Sequence, residues 1–503
     1  RPKAGRCRRA TQCGTHGNGC GRSARDERPR TAASKGAPRP ARRDRPWTEG
    51  AAVNTATARA VTPRARAARV AYTALLTLIA PAYALRLWWR GRAEPLYRTG
   101  IGERFGFYRD CPSAGSVWVH AVSLGETRAA AALVDALRAL RPDLPLLLTH
   151  GTATGRAAGK SLLQPGDRQA WLPYDTPRAV RRFHAHFRPQ VGVLMETEVW
   201  PNLLFAAQQC GVPMVLANAR LSPRSERKGL QLAALLRPAV ETLALVLAQA
   251  DGDAQRLRAS GARAVVVSGN LKFDMTPDAD QLAVGHAWRA AIERAIVLAA
   301  VTREGEEAPL LAAWKQVPQP RPLLLIVPRH PQRFDEVAAL ARAAGFTLAR
   351  RSEWQGAPPD EALHADVWLG DSMGEMALYY ALAQVALLGG SYAPLGGQNL
   401  IEAAACGCPV VMGPHTFNFA QAAELALAAG AARRVADIEA GVREALVLLA
   451  PAEHALMSAA SLAFAAGHRG AAARMAAQIV ALIEAPKPAP PASTTGACMR
   501  AAS

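Results

Sequence analysis

The sequence lacks a CxxC pair, and its eight cysteines are scattered over 503 residues. The two that lie closest together, Cys406 and Cys408, occur in an alanine-rich run typical of a buried helix end. This pattern supports neither a zinc site nor a disulfide framework, and a reducing compartment fits best. No GxGxxG follows the first predicted strand, and GxxxxGK[ST] occurs nowhere. These absences argue against a dinucleotide enzyme and against a P-loop ATPase.

Most of the positive charge lies at the N-terminal end. The formal net charge is +20, but residues 1–69 contain 18 Lys and Arg against 4 Asp and Glu, which leaves only +6 for the other 434 residues. Residues 1–67 lack apolar periodicity and cannot bury enough surface to offset their chain entropy. We predict a disordered Arg-rich leader over 1–67 and a disordered tail over 486–503. By charge alone the leader could instead be a nucleic-acid-binding arm.

One apolar run, residues 70–89, has the character of a membrane segment. Its uninterrupted part, Val70–Leu85, has 16 residues, about 24 Å of helix, which is short for a comfortable span. Arginines flank the run on both sides, and Trp88 and Trp89 suit a headgroup zone. We predict a membrane-anchor helix over 68–95; the alternative is a core helix of its own domain. No later run is long and apolar enough to span, so the remaining chain is expected to be soluble and held at a surface.

Beyond this segment, short apolar runs alternate with helical patterns, which is typical of parallel sheets with crossover helices. The runs lie at 116–122, 145–150, 191–196, 213–218, 243–249, 264–270, 295–301, 322–330, 346–350, 366–371, 385–390 and 409–414. A polar, proline-containing stretch at 272–281 predicts a linker between the two series. We therefore predict two doubly wound, Rossmann-like α/β domains, 96–275 and 283–485, that face each other across a cleft.

Unusual polar residues follow many of these predicted strands. The clearest case is "LMETEVWPN", where a buried strand ends in Glu196 and Glu198. An unpaired buried carboxylate costs several kcal/mol or takes up a proton, so this strand must reach a solvated edge. In open α/β sheets ligands bind beyond the carboxyl ends of the strands. The two glutamates are therefore predicted to lie at the rim of a cleft between the domains.

Ser123 and Glu126 follow the first strand in "VHAVSLGETR". Their spacing is that of a capping box, in which each side chain bonds the backbone of the other. A carboxylate at a helix start and a cleft could equally serve as a general base. The spacing alone leaves both roles open for Glu126.

The second series contains two small-residue loops that each begin a helix, "GDSMGEMALYY" and "GGSYAPLGGQNLIEAAACG". Free backbone N–H groups at such helix starts can hold phosphate without a metal. Glu402 lies one turn after Asn399, where its carboxylate could accept ribose hydroxyls, and Arg329 ends another strand. One such loop could be an ordinary tight turn, but together they predict a nucleotide site.

The ordered motifs of the chain closely resemble the 3-deoxy-D-manno-octulosonic acid (Kdo) transferases, over about residues 68–485. The motifs are "IGERFG" (101–106), "HAVSLGE" (120–126), "METEVWPN" (195–202), "NARLSPRS" (218–225), "GNLKFD" (269–274), "PRHPQRF" (328–334), "DSMGE" (371–375) and "GGSYAPLGGQNLIEAAACGCPVVMGP" (389–414). The resemblance implies the GT-B glycosyltransferase architecture. It also implies transfer of Kdo from CMP-Kdo to a lipid A precursor, with inversion, at the cytoplasmic face of the inner membrane.

Site residues follow from the resemblance motif by motif. Glu126 matches the general base, which favours that role over capping alone, and Glu196 and Lys272 match positions that stabilise the transition state. The CMP-binding segments match Pro328, Arg329, Met373, Gly374, Glu375, Asn399, Leu400, Ile401 and Glu402. Candidate substrate or acceptor contacts are Arg104, Ser123, Glu198 and Arg220.

The chemistry agrees with these residue types. Loss of CMP from a ketosidic carbon develops positive charge on the sugar and negative charge on phosphate, which carboxylates and cations respectively can stabilise. No Asp-x-Asp suited to a divalent ion lies at the strand ends that carry these site residues, so we expect no metal and no cofactor. The chain departs from the family at Gln398, usually His, and at 301–303, usually Ser-Thr-His; Gln398 can still donate a hydrogen bond, whereas Arg303 adds charge.

Two other functions are compatible with parts of this sequence. One is a GT-B transferase or epimerase that uses a UDP-sugar, for which UDP rather than CMP would protect the protein. The other is a basic-tailed nucleic-acid-binding protein, whose affinity would fall steeply with salt and vanish without residues 1–69. The preferred hypothesis expects no nucleic-acid partner and activity without residues 1–67.

Overall fold

Two parallel β-sheets of seven strands each form the framework of residues 62–485, the part of the chain that the computed structural model describes. The strands of the first sheet are β1 (Val117–His120), β2 (Leu146–His150), β3 (Arg168–Trp171), β4 (Val191–Met195), β5 (Met214–Ala219), β6 (Leu245–Ala248) and β7 (Val265–Val267). Those of the second are β8 (Ile296–Thr302), β9 (Leu323–Pro328), β10 (Leu348–Arg350), β11 (Val367–Leu369), β12 (Val385–Leu388), β13 (Val410–Met412) and β14 (Ala432–Arg434).

Helices cover both faces of the two sheets. In the first half they are α1 (Pro63–Arg90), α2 (Leu124–Leu140), α3 (Ala153–Gly159), α4 (Pro177–Phe187), α5 (Pro201–Gln209), α6 (Pro223–Gln231), α7 (Ala233–Val240) and α8 (Asp251–Ala259). In the second they are α9 (Ala279–Ala291), α10 (Glu307–Lys315), α11 (Phe334–Ala343), α12 (Asp360–His364), α13 (Met376–Leu382), α14 (Leu400–Ala405), α15 (Ala420–Ala428), α16 (Ile438–Val447), α17 (Pro451–Gly467) and α18 (Ala471–Glu484).

Both sheets are doubly wound, as the sequence predicts. The strand orders are β3-β2-β1-β4-β5-β6-β7 and β10-β11-β9-β8-β12-β13-β14, with every pairing parallel. The winding direction reverses between β1 and β4 and again between β8 and β12. Val119 pairs with Val193 at the first reversal, and Leu387 pairs with Ala299 at the second. At such switch points the loops beyond the strands separate and leave room for ligands.

Each of the twelve apolar runs contains a strand, but the sequence pattern missed β3 and β14. Both are outer strands: β3 begins with the half-exposed Arg168 and Gln169, and β14 ends in Arg433 and Arg434. An outer position tolerates polar side chains, and in these two strands they interrupt the apolar run, whereas the outer strands β7 and β10 lie within predicted runs.

The last helix returns to the first sheet, although the sequence assigns residues 283–485 to the second domain. Met475, Ala476 and Ile479 of α18 are buried in one cluster with residues of α2 and β4. Asp274 lies after β7, and its carboxylate accepts the Gly470 and Ala472 amides at the start of α18. The predicted linker, 272–281, is a short turn at Leu271–Asp274 that leads into α9.

Helix α1 begins at Pro63, before the predicted boundary at residue 68, because Thr62 caps it by accepting the Ala65 amide. One face packs on the first domain, with Ala65, Ala80 and Leu87 buried. The large apolar side chains of the other faces are exposed: Val70, Leu75, Leu78, Ile79, Tyr83, Leu85, Trp88 and Trp89. Within residues 62–485 this is the single unbroken helix whose length and composition would allow it to cross a membrane. The predicted leader before residue 62 and the tail after 485 lie outside the described residues.

Ile479→Ala tests the docking of α18 on the first sheet. The side chain is fully buried, and truncation of a buried isoleucine costs about 2–4 kcal/mol. We expect a clear fall in the melting temperature, measured by circular dichroism. Leu462→Ala is the matched control, because Leu462 on α17 is half exposed. Equal melting temperatures for the two variants would contradict this packing.

Candidate active site

Glu126 lies in the first turn of α2, beyond the end of β1. The Ser123 hydroxyl accepts the Glu126 amide at 3.4 Å and donates to its carboxylate at 3.1 Å, and the Val122 amide donates to the same carboxylate at 2.7 Å. The predicted cap is therefore present, with Val122 supplying the backbone donor. Burial raises the pKa of the Glu126 carboxyl, these hydrogen bonds oppose the rise, and the charge of Glu196 adds to it. A partly buried carboxylate of raised basicity suits proton abstraction.

Glu196 and Glu198 lie beyond β4, on the loop that leads into α5. Glu196 has a φ of 58°, a left-handed conformation that is uncommon outside glycine and often marks a functional site. The Glu198 carboxylate accepts the Trp200 indole N–H at 2.7 Å. Burial raises the pKa of Glu198 to about 7, with further increases from the charges of Glu126 and Glu196. The three carboxylates therefore form one electrostatically coupled cluster.

Lys272 is the cation next to this cluster. It lies in the turn after β7, and its Nζ is 4.0 Å from the nearer oxygen of Glu196. The same Nζ lies 5.0 Å from the centre of the Phe419 ring, which belongs to the second domain. The contacts of Lys272 thus connect the carboxylates of one domain with the rim of the other. The Lys272 side chain is 26% exposed and the Glu196 side chain is 21% exposed. Both charges therefore remain partly hydrated.

A buried carboxylate, Glu306, organises the loop after β12. It accepts the amides of Gly390 at 2.7 Å, Tyr392 at 3.1 Å and Ala393 at 3.3 Å, and also that of Arg303. Glu306 is 4% exposed, so these donors replace the water that its charge would otherwise need. The loop that leads to Asn399 is thereby fixed relative to the end of β8.

Glu402 and Arg329 lie at the ends of neighbouring segments of the second domain. Burial raises the pKa of Glu402, and the positive charges of Arg128 and Arg329 oppose that rise. Arg128 belongs to α2 of the first domain, so it acts on Glu402 across the two domains. Asn399 caps α14 by accepting the Ile401 amide, and its side-chain amide lies 3.9 Å from the Met275 sulfur.

The loop 371–375 is held by ion pairs. Asp371 is buried and accepts from Arg350, while Glu375 pairs with Arg351 at 2.8 Å and accepts the Tyr379 hydroxyl. Met373 at the tip is 71% exposed. Gly374 has a φ of 87°, which a side chain would strain. A supported loop with a free tip can present backbone N–H groups to a ligand.

The remaining predicted site residues differ from one another in exposure and surroundings. Pro328 ends β9, whereas Leu400 and Ile401 are fully buried in the second core. Arg220 is exposed, and its guanidinium donates to the Asn418 carbonyl of the other domain at 3.4 Å. Arg104 is 8% exposed, donates to the Gly151 carbonyl and stacks on the Trp171 ring, so its side chain is committed within the first domain.

Sequence reasoning missed Arg128, Phe419 and Asn418 as residues of the rim. Arg128 could have been noticed in the sequence, because it lies two residues after Glu126 in α2. Phe419 and Asn418 follow β13 within a polar stretch that no motif distinguishes. Their proximity to Lys272 and Arg220 depends on the relative placement of two domains, which local patterns do not encode.

Fold and site together define a GT-B glycosyltransferase. Among solved structures, a glycosyltransferase from Rickettsia africae covers 75% of this chain and 99% of its own, with a TM-score of 0.51 and 11% identity, which bears on the fold alone. The C-terminal CMP-Kdo binding domain of WaaA from Acinetobacter baumannii is 32% identical, with a TM-score of 0.34, over 37% of this chain and 96% of its own.

The chain belongs to the Kdo transferase family. Residues 99–275 match the family model described as 3-Deoxy-D-manno-octulosonic-acid transferase. The 3-deoxy-D-manno-octulosonic acid transferase of Bordetella pertussis is 51% identical over 421 residues, 81% of this chain and 97% of the relative. The Haemophilus influenzae protein of the same name is 35% identical over 361 residues, 70% and 83% of the two chains. The protein is thus a Kdo transferase with the GT-B fold, as predicted.

Glu198→Gln tests the cost of the carboxylate cluster. The pKa of Glu198 is higher in the folded protein than its usual value of about 4.5. The contribution of Glu198 to the free energy of unfolding is therefore complete below pH 4.5 and is lost as the pH rises through about 7. The variant removes the charge but keeps an acceptor for Trp200. We expect it to be more stable than the wild type at pH 8, by about 3 kcal/mol at most.

The measurement is a melting curve of both proteins at pH 5 and pH 8. At pH 5 Glu198 is already protonated, so the two melting temperatures should nearly coincide. Glu241→Gln is a control, because that carboxylate is 25% exposed and pairs with arginines at the surface. A difference that is equal at both pH values would show that Glu198 is not desolvated in this way.

Proposed function

We propose that this transferase moves Kdo from CMP-Kdo to a lipid A precursor, lipid IVA, with inversion at the anomeric carbon and Glu126 as the general base. The observation that carries the proposal is the coupled cluster of Glu126, Glu196 and Glu198 beside Lys272. It supplies a base and a second carboxylate at one edge of the first sheet. The name of the Acinetobacter domain and the family membership support the choice of donor.

The proposed reaction is a single displacement. The acceptor hydroxyl oxygen forms a bond to the anomeric carbon of Kdo, while the bond from that carbon to the CMP phosphate oxygen breaks. Glu126 takes the hydroxyl proton, and CMP leaves with the electron pair. Glu196 would stabilise the positive charge that develops on the sugar, and Lys272 and Arg329 the negative charge on the departing phosphate.

The nucleotide would occupy the rim of the second domain. Loop 371–375, Pro328 and Arg329, and the segment 399–402 surround the carboxyl ends of β9, β11 and β12, where a phosphate would meet backbone N–H groups and a guanidinium. Glu402 would accept the ribose hydroxyls. Ser123, Glu198 and Arg220 would contact the acceptor or the sugar. Arg104 would act indirectly, by fixing the loops of the first domain.

Attachment to the cytoplasmic face of the inner membrane would place the lipid acceptor beside this site. The exposed apolar faces of α1 and its flanking arginines support association with an anionic membrane. A soluble nucleotide donor and a lipid acceptor would then meet at the surface. No nucleic-acid partner is proposed.

The first experiment is a transfer assay with Glu126→Gln as the test of the base. Purified protein is incubated with a CMP-Kdo generating system and a tetra-acylated lipid A precursor, and the lipid is analysed by mass spectrometry. The wild type should add mass increments of Kdo, whose number counts the additions. Glu126→Gln should lose about 10²–10⁴ in rate, yet keep CMP binding and its melting temperature, since glutamine can still accept the Val122 amide.

Outcomes separate the alternatives. Turnover preserved in Glu126→Gln would refute the base, and a lowered melting temperature would assign Glu126 to capping. Protection by UDP rather than CMP would favour a UDP-sugar enzyme. Binding to nucleic acid that disappears with residues 1–69 would favour the nucleic-acid alternative.

A metal-independent reaction is a separate prediction. Among the described residues, no group of three or more His, Cys, Asp and Glu side chains is arranged to hold a metal ion. The proposed phosphate ligands are cations and backbone N–H groups, so we expect EDTA to leave the transfer rate within about twofold. The control adds excess Mg²⁺ back to the treated enzyme. A rate that falls with EDTA and returns with Mg²⁺ would require a metal in the mechanism.

A further inference from the structure

The loop that carries Glu196 and Glu198 ends at helix α5, and this helix has no side-chain cap of its own. Its N-cap residue is Trp200, which offers no acceptor to the first amides. Those amides bind instead to Asp175, on the segment between β3 and α4. Asp175 Oδ2 accepts the Asn202 amide at 3.0 Å, and Oδ1 accepts the Leu203 amide at 2.6 Å. A distant carboxylate therefore serves as the cap of α5.

The same carboxylate is tied to helix α1. The Tyr72 hydroxyl donates to Asp175 Oδ2 at 2.9 Å, and the Asn202 side-chain amide lies 3.0 Å from the Thr73 hydroxyl and donates to the Asp175 carbonyl at 2.7 Å. Asp175 is 3% exposed. A buried carboxylate stays ionised only if it is well supplied with donors, so loss of the Tyr72 hydroxyl should weaken the cap.

We propose that Asp175, held by Tyr72 of helix α1, is a positioning residue that sets the Glu196–Trp200 loop for transfer. The inference rests on the proposed function, because it takes that loop to be part of the active site. The path is short. Asp175 fixes the start of α5, where the Trp200 carbonyl accepts the Leu204 amide, and the Trp200 indole N–H donates to Glu198. Helix α1 thus supports the site in addition to any contact with a membrane.

The ionisation of Asp175 should make the effect of Tyr72→Phe depend on pH. Burial raises the pKa of Asp175 to about 6, whereas the amides of Asn202 and Leu203, the Tyr72 hydroxyl and the positive charge of Arg69 oppose the rise. Tyr72→Phe removes one donor, so the pKa should rise further towards neutrality. Asp175 would then take up a proton near neutral pH, and a neutral carboxyl caps a helix less well. The defect should be larger at low pH and smaller at high pH.

The experiment uses the full chain in detergent, with Tyr72→Phe as the test and Tyr83→Phe as the control. Tyr83 lies on the same helix and keeps its ring contact with Tyr174 as phenylalanine. We expect kcat of Tyr72→Phe to fall about tenfold at pH 6.5 and less than threefold at pH 8.5, with the KM for CMP-Kdo unchanged. Tyr83→Phe should match the wild type. Hydrogen exchange of residues 196–204 without substrate should be about tenfold faster in Tyr72→Phe alone.

Asp175→Asn provides a second test, since it is neutral at every pH. If it folds, its kcat should fall at least tenfold at both pH values. Equal exchange and equal kcat in Tyr72→Phe and Tyr83→Phe would overturn the proposal. A loss that does not depend on pH and accompanies weaker binding to vesicles would also overturn it, in favour of anchoring alone. Failure of the proposed function would be distinct, because Glu126→Gln would then retain turnover, while the exchange result would be unaffected.

Discussion

The site depends on one recurrent interaction, a carboxylate that accepts the backbone N–H groups of a loop or a helix start. Glu126 holds the end of β1, Asp175 holds the start of α5, Glu306 holds the loop after β12, and Asp274 holds the start of α18. Parallel sheets end in loops and helix starts whose amides have no partner within their own element. An ionised carboxylate is the strongest acceptor that a side chain can offer them. The loops around the site are therefore fixed by charge as well as by apolar packing.

These carboxylates bring negative charge to the site where the proposed chemistry uses it, but their repulsion and burial lower the stability of the fold. Carboxylates gathered at one edge of a sheet repel each other and lose hydration, which is why the pKa of Glu198 rises to about 7. Lys272 offsets part of that charge. The left-handed backbone at Glu196, together with a similar φ of 52° at Asn218 on the next strand, adds strain at the same edge. Such strain persists only where the surrounding structure holds it.

Much of the fold could be predicted from sequence, because it follows from local periodicity. Central strands are apolar on both faces and are easily recognised, whereas β3 and β14 at the edges carry polar residues and were missed. The cap at Ser123 and Glu126 was expected from spacing, but the Val122 donor was not. The return of α18 to the first sheet could not be predicted, since its apolar face would suit either domain. The decisive information is the contact of its first amides with Asp274, almost 200 residues earlier.

Helix α1 shows most clearly why composition alone gave an incomplete account of the site. Its apolar run has the composition of a membrane segment, and the exposed side chains agree with that character. Yet Tyr72 and Thr73 bring two hydroxyl groups into the run, and apolar surroundings alone offer a side-chain hydroxyl no hydrogen-bond partner. Their position becomes intelligible once Asp175 and Asn202 are seen opposite, because a buried carboxylate needs donors that an apolar face cannot supply. The two polar residues thus complement a polar surface of the first domain, whereas the exposed apolar side chains of the helix suit a membrane.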